Sequence, residues 1–309
     1  MNIIPRAFLS EYTTFQLGGP CRDLINCEDP DQLESVVTNL FREGAPFILI
    51  GGGSNLVVSD TGVDCAVVRY VASSPLIEVD GDELIVSGST ALDDLVIAAI
   101  DEGLEGLNTC SGIPGTVGGA IVGNAGAFGK QVGDVLKSVT LLARDGQKLV
   151  KDAAYCGFSY RNSRLKETGD IVLGARFALK PGNRANLAKE RAEILAIRHE
   201  KHPDLKTFPC AGSFFRNVEP TSSAGRRQAA GWFLEQAGGK DLRAGGAGIF
   251  PKHANIIVKG ENCTAQDVHE LHLQMKRIVK ERFDLDLVRE VRFVGEFAGK
   301  SPQIRDVIW

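Results

Sequence analysis

Residues 112–129 read GIPGTVGGAIVGNAGAFG: seven glycines in eighteen positions, and no charge. A glycine inside regular structure costs about 0.5–1 kcal/mol relative to alanine, so such a run needs a physical use. Glycine makes tight turns at positive φ, and it lets main-chain N–H groups close on an anionic ligand such as a diphosphate. A second cluster, GGGSN at 51–55, follows the short apolar strand PFILI (46–50) and precedes LVVSD. Each cluster follows an apolar segment and ends in Ser-Asn or Gly-Asn, which favours two cradles for one extended dinucleotide over two strained turns. Single-loop cradles do not fit. Leu56 stands where the last glycine of Gly-x-Gly-x-x-Gly belongs, and GEFAGKS (295–301) has three residues between its glycines where a P-loop has four.

Outward from these clusters, DPDQLESVVTNLFRE (29–43) has helical periodicity and stops at Gly44, and AVVRYV (66–71) is a strand. LIEVDGDELIVSG (76–88) and SVTLLARDGQKLV (138–150) read as hairpins with Asp-Gly turns, and DIVLGARFALK (170–180) as a strand ending at Pro181. Helices are expected at 91–103, 185–202, 229–238 and 264–283, the last opened by Thr264 and Asp267 at capping-box spacing. This mixture of hairpins and helices points to α+β rather than a regular βαβ series.

The chain has 309 residues, 43% hydrophobic and 24% charged, with a net charge of −4. That excludes the basic field needed to hold nucleic acid. No apolar run approaches a membrane span and the N-terminus lacks a signal-peptide pattern, so the expected location is cytoplasmic. The seven cysteines form no Cys-x-x-Cys pair and read as reduced, buried thiols. His199/His202 and His269/His272 have i, i+3 spacing, but solvated helix faces are the plainer reading, so no metal is expected.

With GGGSNLVVSD and SGIPGTVGGAIVGNAGAFG in order, the chain resembles the FAD-binding domain of the vanillyl-alcohol oxidase type. More narrowly it resembles the UDP-N-acetylenolpyruvoylglucosamine reductases of peptidoglycan precursor synthesis. The resemblance continues at Tyr160-Arg161-Asn162-Ser163, Gly212-Ser213-Phe214-Phe215-Arg216-Asn217, Lys252-His253-Ala254-Asn255 and Glu290-Val291-Arg292-Phe293-Val294-Gly295, and so spans nearly the whole chain. It implies an α+β protein: a two-subdomain FAD-binding domain (1–72 and 73–200), a C-terminal α+β substrate domain (201–287) and a segment (288–309) returning to the FAD domain.

The implied reaction reduces the enolpyruvyl double bond of UDP-N-acetylglucosamine-enolpyruvate to UDP-N-acetylmuramate, with NADPH reducing FAD and the flavin passing hydride to the vinyl terminus. Carried over by motif, Arg161 holds the carboxylate and developing enolate, Ser213 donates the proton, and Glu290 supports the enolate beside Arg161. FAD is assigned to Gly51, Gly52, Gly53, Ser54, Asn55 and Leu56 in the first cluster, to Gly112, Ile113, Gly115, Thr116, Gly118, Gly119, Ala120, Asn124 and Ala125 in the second, and to Ile171. Substrate is assigned to Tyr160, Asn217, Lys252, His253 and Asn255. All five histidines lie at or after position 199, so the histidine tether of many oxidases with this fold is missing. Cys110 is a conceivable substitute, but non-covalent FAD is the natural reading.

No tyrosine follows Arg161, which places the chain with the family's shorter subtype lacking a tyrosine loop. Val218 stands where the family usually has proline, followed by the polar run TSSAGRRQ, and Lys259 stands where it often has asparagine. Two rivals remain: an FAD-dependent sugar or hydroxy-acid oxidase, and a non-catalytic binding module of the same fold. A monomer or weak oligomer is expected.

Overall fold

The structure, a computed structural model, describes residues 1–220 and 226–298. Most of the polar run after Pro220, and the end of the GEFAGKS stretch, lie outside these residues.

The N-terminal sheet runs in the order Asn2–Pro5, Cys21–Cys27, Val63–Tyr70, Phe47–Ile50. Its first pair is antiparallel and the other two are parallel. The parallel step is carried by α1 (Pro30–Glu43). The Asp29 side chain caps this helix by accepting from the Gln32 amide, Pro30 occupies its first turn, and Gly44 ends it in the left-handed region at φ +62. Leu33, Val36, Val37 and Leu40 form its buried stripe, packed with Leu49, Val68 and Tyr70.

The second sheet is antiparallel throughout, in the order Lys148–Asp152, Leu136–Leu142, Ile171–Ala178, Glu83–Ser87, Ile77–Asp80. Both expected hairpins are present in it. Helices α2 (Leu92–Asp101) and α3 (Val117–Gly123) cover one face, and Leu95, Val96, Val117 and Ile121 interlock with Leu84, Val139, Val172 and Phe177. A single-turn helix, α4 (Leu165–Thr168), precedes the strand Ile171–Ala178, and α5 (Arg184–Lys201) follows it.

Beyond α5, a three-stranded sheet (Arg243–Ala244, Ala247–Ile249, Ile257–Lys259) packs with α6 (Ala230–Gln236) and α7 (Ala265–Phe283). The capping box of α7 is formed by Thr264 and Asp267. The expectation that His269 and His272 are solvated is wrong. Both lie on the same face of α7 as Val268, Leu271 and Met275 and are 4% exposed. Both rings serve as core, with His269 stacked on Phe297 at 5.3 Å and burial pushing His272 down to about 3. After α7 the chain crosses back, and Arg292–Val294 pairs in parallel with Leu56–Val58.

Candidate active site

The two glycine clusters meet. Ser54 Oγ donates to Pro114 O at 3.2 Å, and a Cβ on Gly52 would stand 3.2 Å from the Gly115 Cα. Gly115, at φ +113, could carry a side chain only by striking Ser54 Oγ. Several of these glycines are therefore required by the protein's own close packing. Gly53 faces the Tyr12 carbonyl and Gly112 faces Leu195 and Arg198. Gly123 keeps open space, and a Cβ on Gly119 would meet only Thr116 Oγ1 at 3.6 Å. What the packing leaves over is donors: among the described residues no protein acceptor takes the main-chain N–H of Gly52, Gly53, Ser54, Asn55, Gly115 or Thr116, although Gly53 and Thr116 are buried. Unpaired buried N–H groups converging from two loops fit an anionic ligand such as a diphosphate.

Beside this cradle lies a charged group. Arg161 Nη2 donates to Gly126 O at 2.6 Å, and its Nε forms an ion pair with Glu290 Oε1 at 3.2 Å without an aligned hydrogen bond. Each side chain is 25% exposed. Burial raises the Glu290 carboxyl above its ordinary value, against the pull of Arg161, Arg216 and Lys166. Ser213 is brought to the same place by the main chain. Phe214 O accepts the Glu290 N–H at 2.9 Å, and the Arg216 N–H donates to Val288 O at 2.8 Å. The Tyr160 ring lies beneath the Arg161 guanidinium at 5.5 Å, and its hydroxyl accepts the Asn217 N–H at 3.4 Å.

Residues 202–294 match the C-terminal domain of UDP-N-acetylenolpyruvoylglucosamine reductase, and residues 23–150 match an FAD binding domain. The UDP-N-acetylenolpyruvoylglucosamine reductase of Solibacter usitatus is 34% identical over 302 residues, covering 93% of this chain and 95% of its own. This chain belongs to the UDP-N-acetylenolpyruvoylglucosamine reductase family. The namesake from Caldanaerobacter subterraneus is 35% identical over 93% of this chain and 92% of its own length. The crystal structure of the Thermus caldophilus reductase superposes with a TM-score of 0.78 at 33% identity, covering 95% of this chain and 99% of that one. The architecture is thus α+β, an FAD binding domain followed by the C-terminal domain of the reductase family.

Two substrate or cofactor assignments need correction. Asn255 is 2% exposed; its Oδ1 accepts the Phe215 N–H at 3.0 Å and its Nδ2 donates to Phe215 O at 2.8 Å. It therefore clamps the serine loop from a buried position. Ile171 is fully buried among Leu142, Leu173 and Tyr70, a core residue rather than a cradle residue. His253 lies beside His202, with ring centroids 5.7 Å apart and Lys201, Glu235 and Lys240 as its charged surroundings, and Lys252 is exposed. Burial lowers the His253 pKa.

Asn124 is fully buried in the left-handed region, donating to Ser159 O and accepting from the Gly133 N–H, while Ala120 and Ala125 frame the end of α3. Gly118 and Leu56 are buried, with main-chain groups tied to Gly88 and to the strand at Arg292. Ile113 is half-buried on the second cluster. Cys110 is 1% exposed and burial pushes its thiol up to about 11, which leaves no nucleophile for a flavin tether. All seven cysteines are buried and free.

The sequence reading missed the cations around Glu290. Lys166, Arg216 and Arg292 all act electrostatically on this site, with Lys166 lowered to about 8 by burial and by its cationic neighbours. Arg216 and Arg292 lay inside quoted motifs, but nothing in spacing told which arginines converge. The two family departures have local explanations. Val218 exchanges two main-chain bonds with Gln228 (2.9 and 3.0 Å), one of which proline could not donate, and Lys259 Nζ donates to Gln16 O at 2.8 Å. The loop closed by Val218 and Gln228 carries Arg227, whose guanidinium sits 4.1 Å from the Tyr160 ring centre.

Proposed function

We propose that this chain reduces UDP-N-acetylglucosamine-enolpyruvate to UDP-N-acetylmuramate with FAD and NADPH, the activity for which its relatives are named. The observation that carries the reading is the Arg161–Glu290 pair at 3.2 Å, set beside the serine loop and next to a cradle of unpaired N–H groups. The cradle residues fit the FAD diphosphate through main-chain donors at 52–55 and 115–116. Bound FAD, reduced by NADPH, supplies the hydride that reaches the vinyl carbon.

The chain's own groups do the rest. The Arg161 guanidinium holds the substrate carboxylate and takes up charge as it spreads into an enolate. Glu290, its carboxyl raised above its ordinary value by burial, stands beside Arg161 to support the enolate. Ser213 gives its hydroxyl proton to the adjacent carbon, completing a net addition of hydride and proton across the double bond. Tyr160 and Asn217, linked through the tyrosine hydroxyl, stand at the substrate side of the pair. No helix among the described residues is long and apolar enough to cross a membrane; we assign the protein to the cytoplasm as a monomer or weak oligomer. We also divide it at about residues 72, 200 and 287.

The test is spectroscopic. Purified holoprotein should be yellow, bleach with NADPH and regain colour on adding the enolpyruvyl nucleotide. Oxygen uptake with simple sugars and no response to the nucleotide would replace this reading with the oxidase. Protein that stays colourless after flavin reconstitution would leave only a binding module.

A further inference from the structure

Arg161 is held in an uncommon backbone state. Its φ is +54, in the left-handed region, which costs a non-glycine residue on the order of 1 kcal/mol. The surrounding turn is anchored on both flanks: Ser159 and Asn162 exchange main-chain bonds at 3.0 and 3.1 Å, and Ser163 Oγ donates to Val122 O at 2.8 Å. Neither bond touches the carbonyl of Arg161 itself. That contact comes from Lys166 on α4, whose Nζ donates to Arg161 O at 2.7 Å. Lys166 is half-buried, and the charged groups acting on its ammonium are Arg161, Arg216, Arg292 and Glu290. Three guanidiniums against one carboxylate is a poor setting for a further cation unless a specific acceptor holds it there. The Arg161 carbonyl is that acceptor.

We propose that Lys166 is a positioning residue for Arg161. By binding its carbonyl, Lys166 fixes the left-handed backbone from which the guanidinium reaches Gly126 and Glu290 together, and so presents that guanidinium to the substrate carboxylate. The inference rests on the reductase reading above and adds a residue to it.

The experiment compares wild-type, Lys166→Met and Lys166→Arg holoenzymes in the two half-reactions, followed by flavin absorbance without oxygen. Lys166→Met should slow reoxidation by UDP-N-acetylglucosamine-enolpyruvate by about 10-fold or more, in the limiting rate rather than in the concentration dependence. Its flavin content, and its reduction by NADPH, should stay within about twofold. Lys166→Arg, which keeps charge and donors, should recover most of the rate. Wild-type reoxidation should also decline as pH rises through about 8, where Lys166 loses its charge, and that decline should be missing in Lys166→Met. The proposal is overturned if Lys166→Met reoxidises like wild type, if both half-reactions fall together with flavin loss, or if the arginine variant gives no recovery. Wild-type enzyme that the nucleotide cannot reoxidise removes the reductase reading and this proposal with it. A Lys166→Met enzyme matching an active wild type sinks the proposal alone.

Discussion

A serine hydroxyl is a weak acid in water, and Ser213 can protonate carbon only where the acceptor is an enolate held against it. The structure supplies the holding: Gly212 turns at φ +74 with open space on its Cβ side, and the Phe214 carbonyl ties the serine loop to the Glu290 amide. Ser213→Ala should therefore leave reduction of the flavin by NADPH nearly intact and slow reoxidation by the enolpyruvyl nucleotide by roughly 100-fold or more, as removal of a general acid does. Equal losses in both half-reactions, measured by rapid mixing, would remove the serine from the proton transfer. At this scale the motif residues were legible because their chemistry is carried by type: a guanidinium, a hydroxyl and a carboxyl in known sequence neighbourhoods. Lys166 and Arg216 were not, because a lysine or arginine is ordinarily a solvated charge, and only convergence in space gives these two their work. Asn255 was misassigned for the same reason. Its polar side chain suggested a ligand, whereas both of its polar atoms answer the Phe215 main chain.

Elements hold these residues through a few buried polar contacts. Asn255→Ala strands one buried N–H and one buried C=O of Phe215, and should destabilise the protein by about 2–4 kcal/mol. Urea unfolding of the variant would check this, and a change below about 0.5 kcal/mol would show that water replaces the amide. A second clamp joins helices to the glycine cluster. Asp93 on α2 accepts the Gly112 N–H at 2.7 Å and takes two bonds from Arg191 on α5 at 2.6 and 2.7 Å. Burial pushes the Asp93 carboxyl up, but Arg191 and the Gly112 amide outweigh it and leave the pKa below the ordinary value. Stability from this clamp is thus present above the usual carboxylate range near pH 4 and is lost as pH falls through the depressed value. Asp93→Asn should cost about 1 kcal/mol at neutral pH, the low end because the pair is partly in water, and should flatten that acid loss. It should also loosen flavin retention, read as faster release on dilution. The helices and hairpins that carry these clamps were legible from caps, glycine stops and Asp-Gly turns. The buried face of α7 was misread at His269 and His272, because periodicity alone does not say whether an imidazole at an apolar position is solvated.

The whole molecule brings distant parts of the chain to one cradle. Its unpaired donors come from residues 52–55 and 115–116, and Asn55 also donates through Nδ2 to the Glu290 carbonyl at 3.3 Å across a separation of 235 residues. Stripping FAD should therefore lower the melting temperature and expose both glycine loops to proteolysis. Adding FAD back at about 100 times its dissociation constant should restore about 2.7 kcal/mol. A flavin-independent melting curve would count against the cradle. The fold class and its two glycine loops could be read in advance, since apolar pulses and punctuation are local signals. The parallel pairing of Leu56–Val58 with Arg292–Val294 could not, because two three-residue strands carry no mark of each other.

That pairing has a consequence for how the protein is born. A nascent chain on the ribosome can collapse its first two sheets early, yet the carboxyl that faces Arg161 is delivered only by a strand made some 235 positions after the loop it joins. Translation must pass that strand before chemistry begins, so no growing fragment short of it should turn over substrate, however well it captures the flavin.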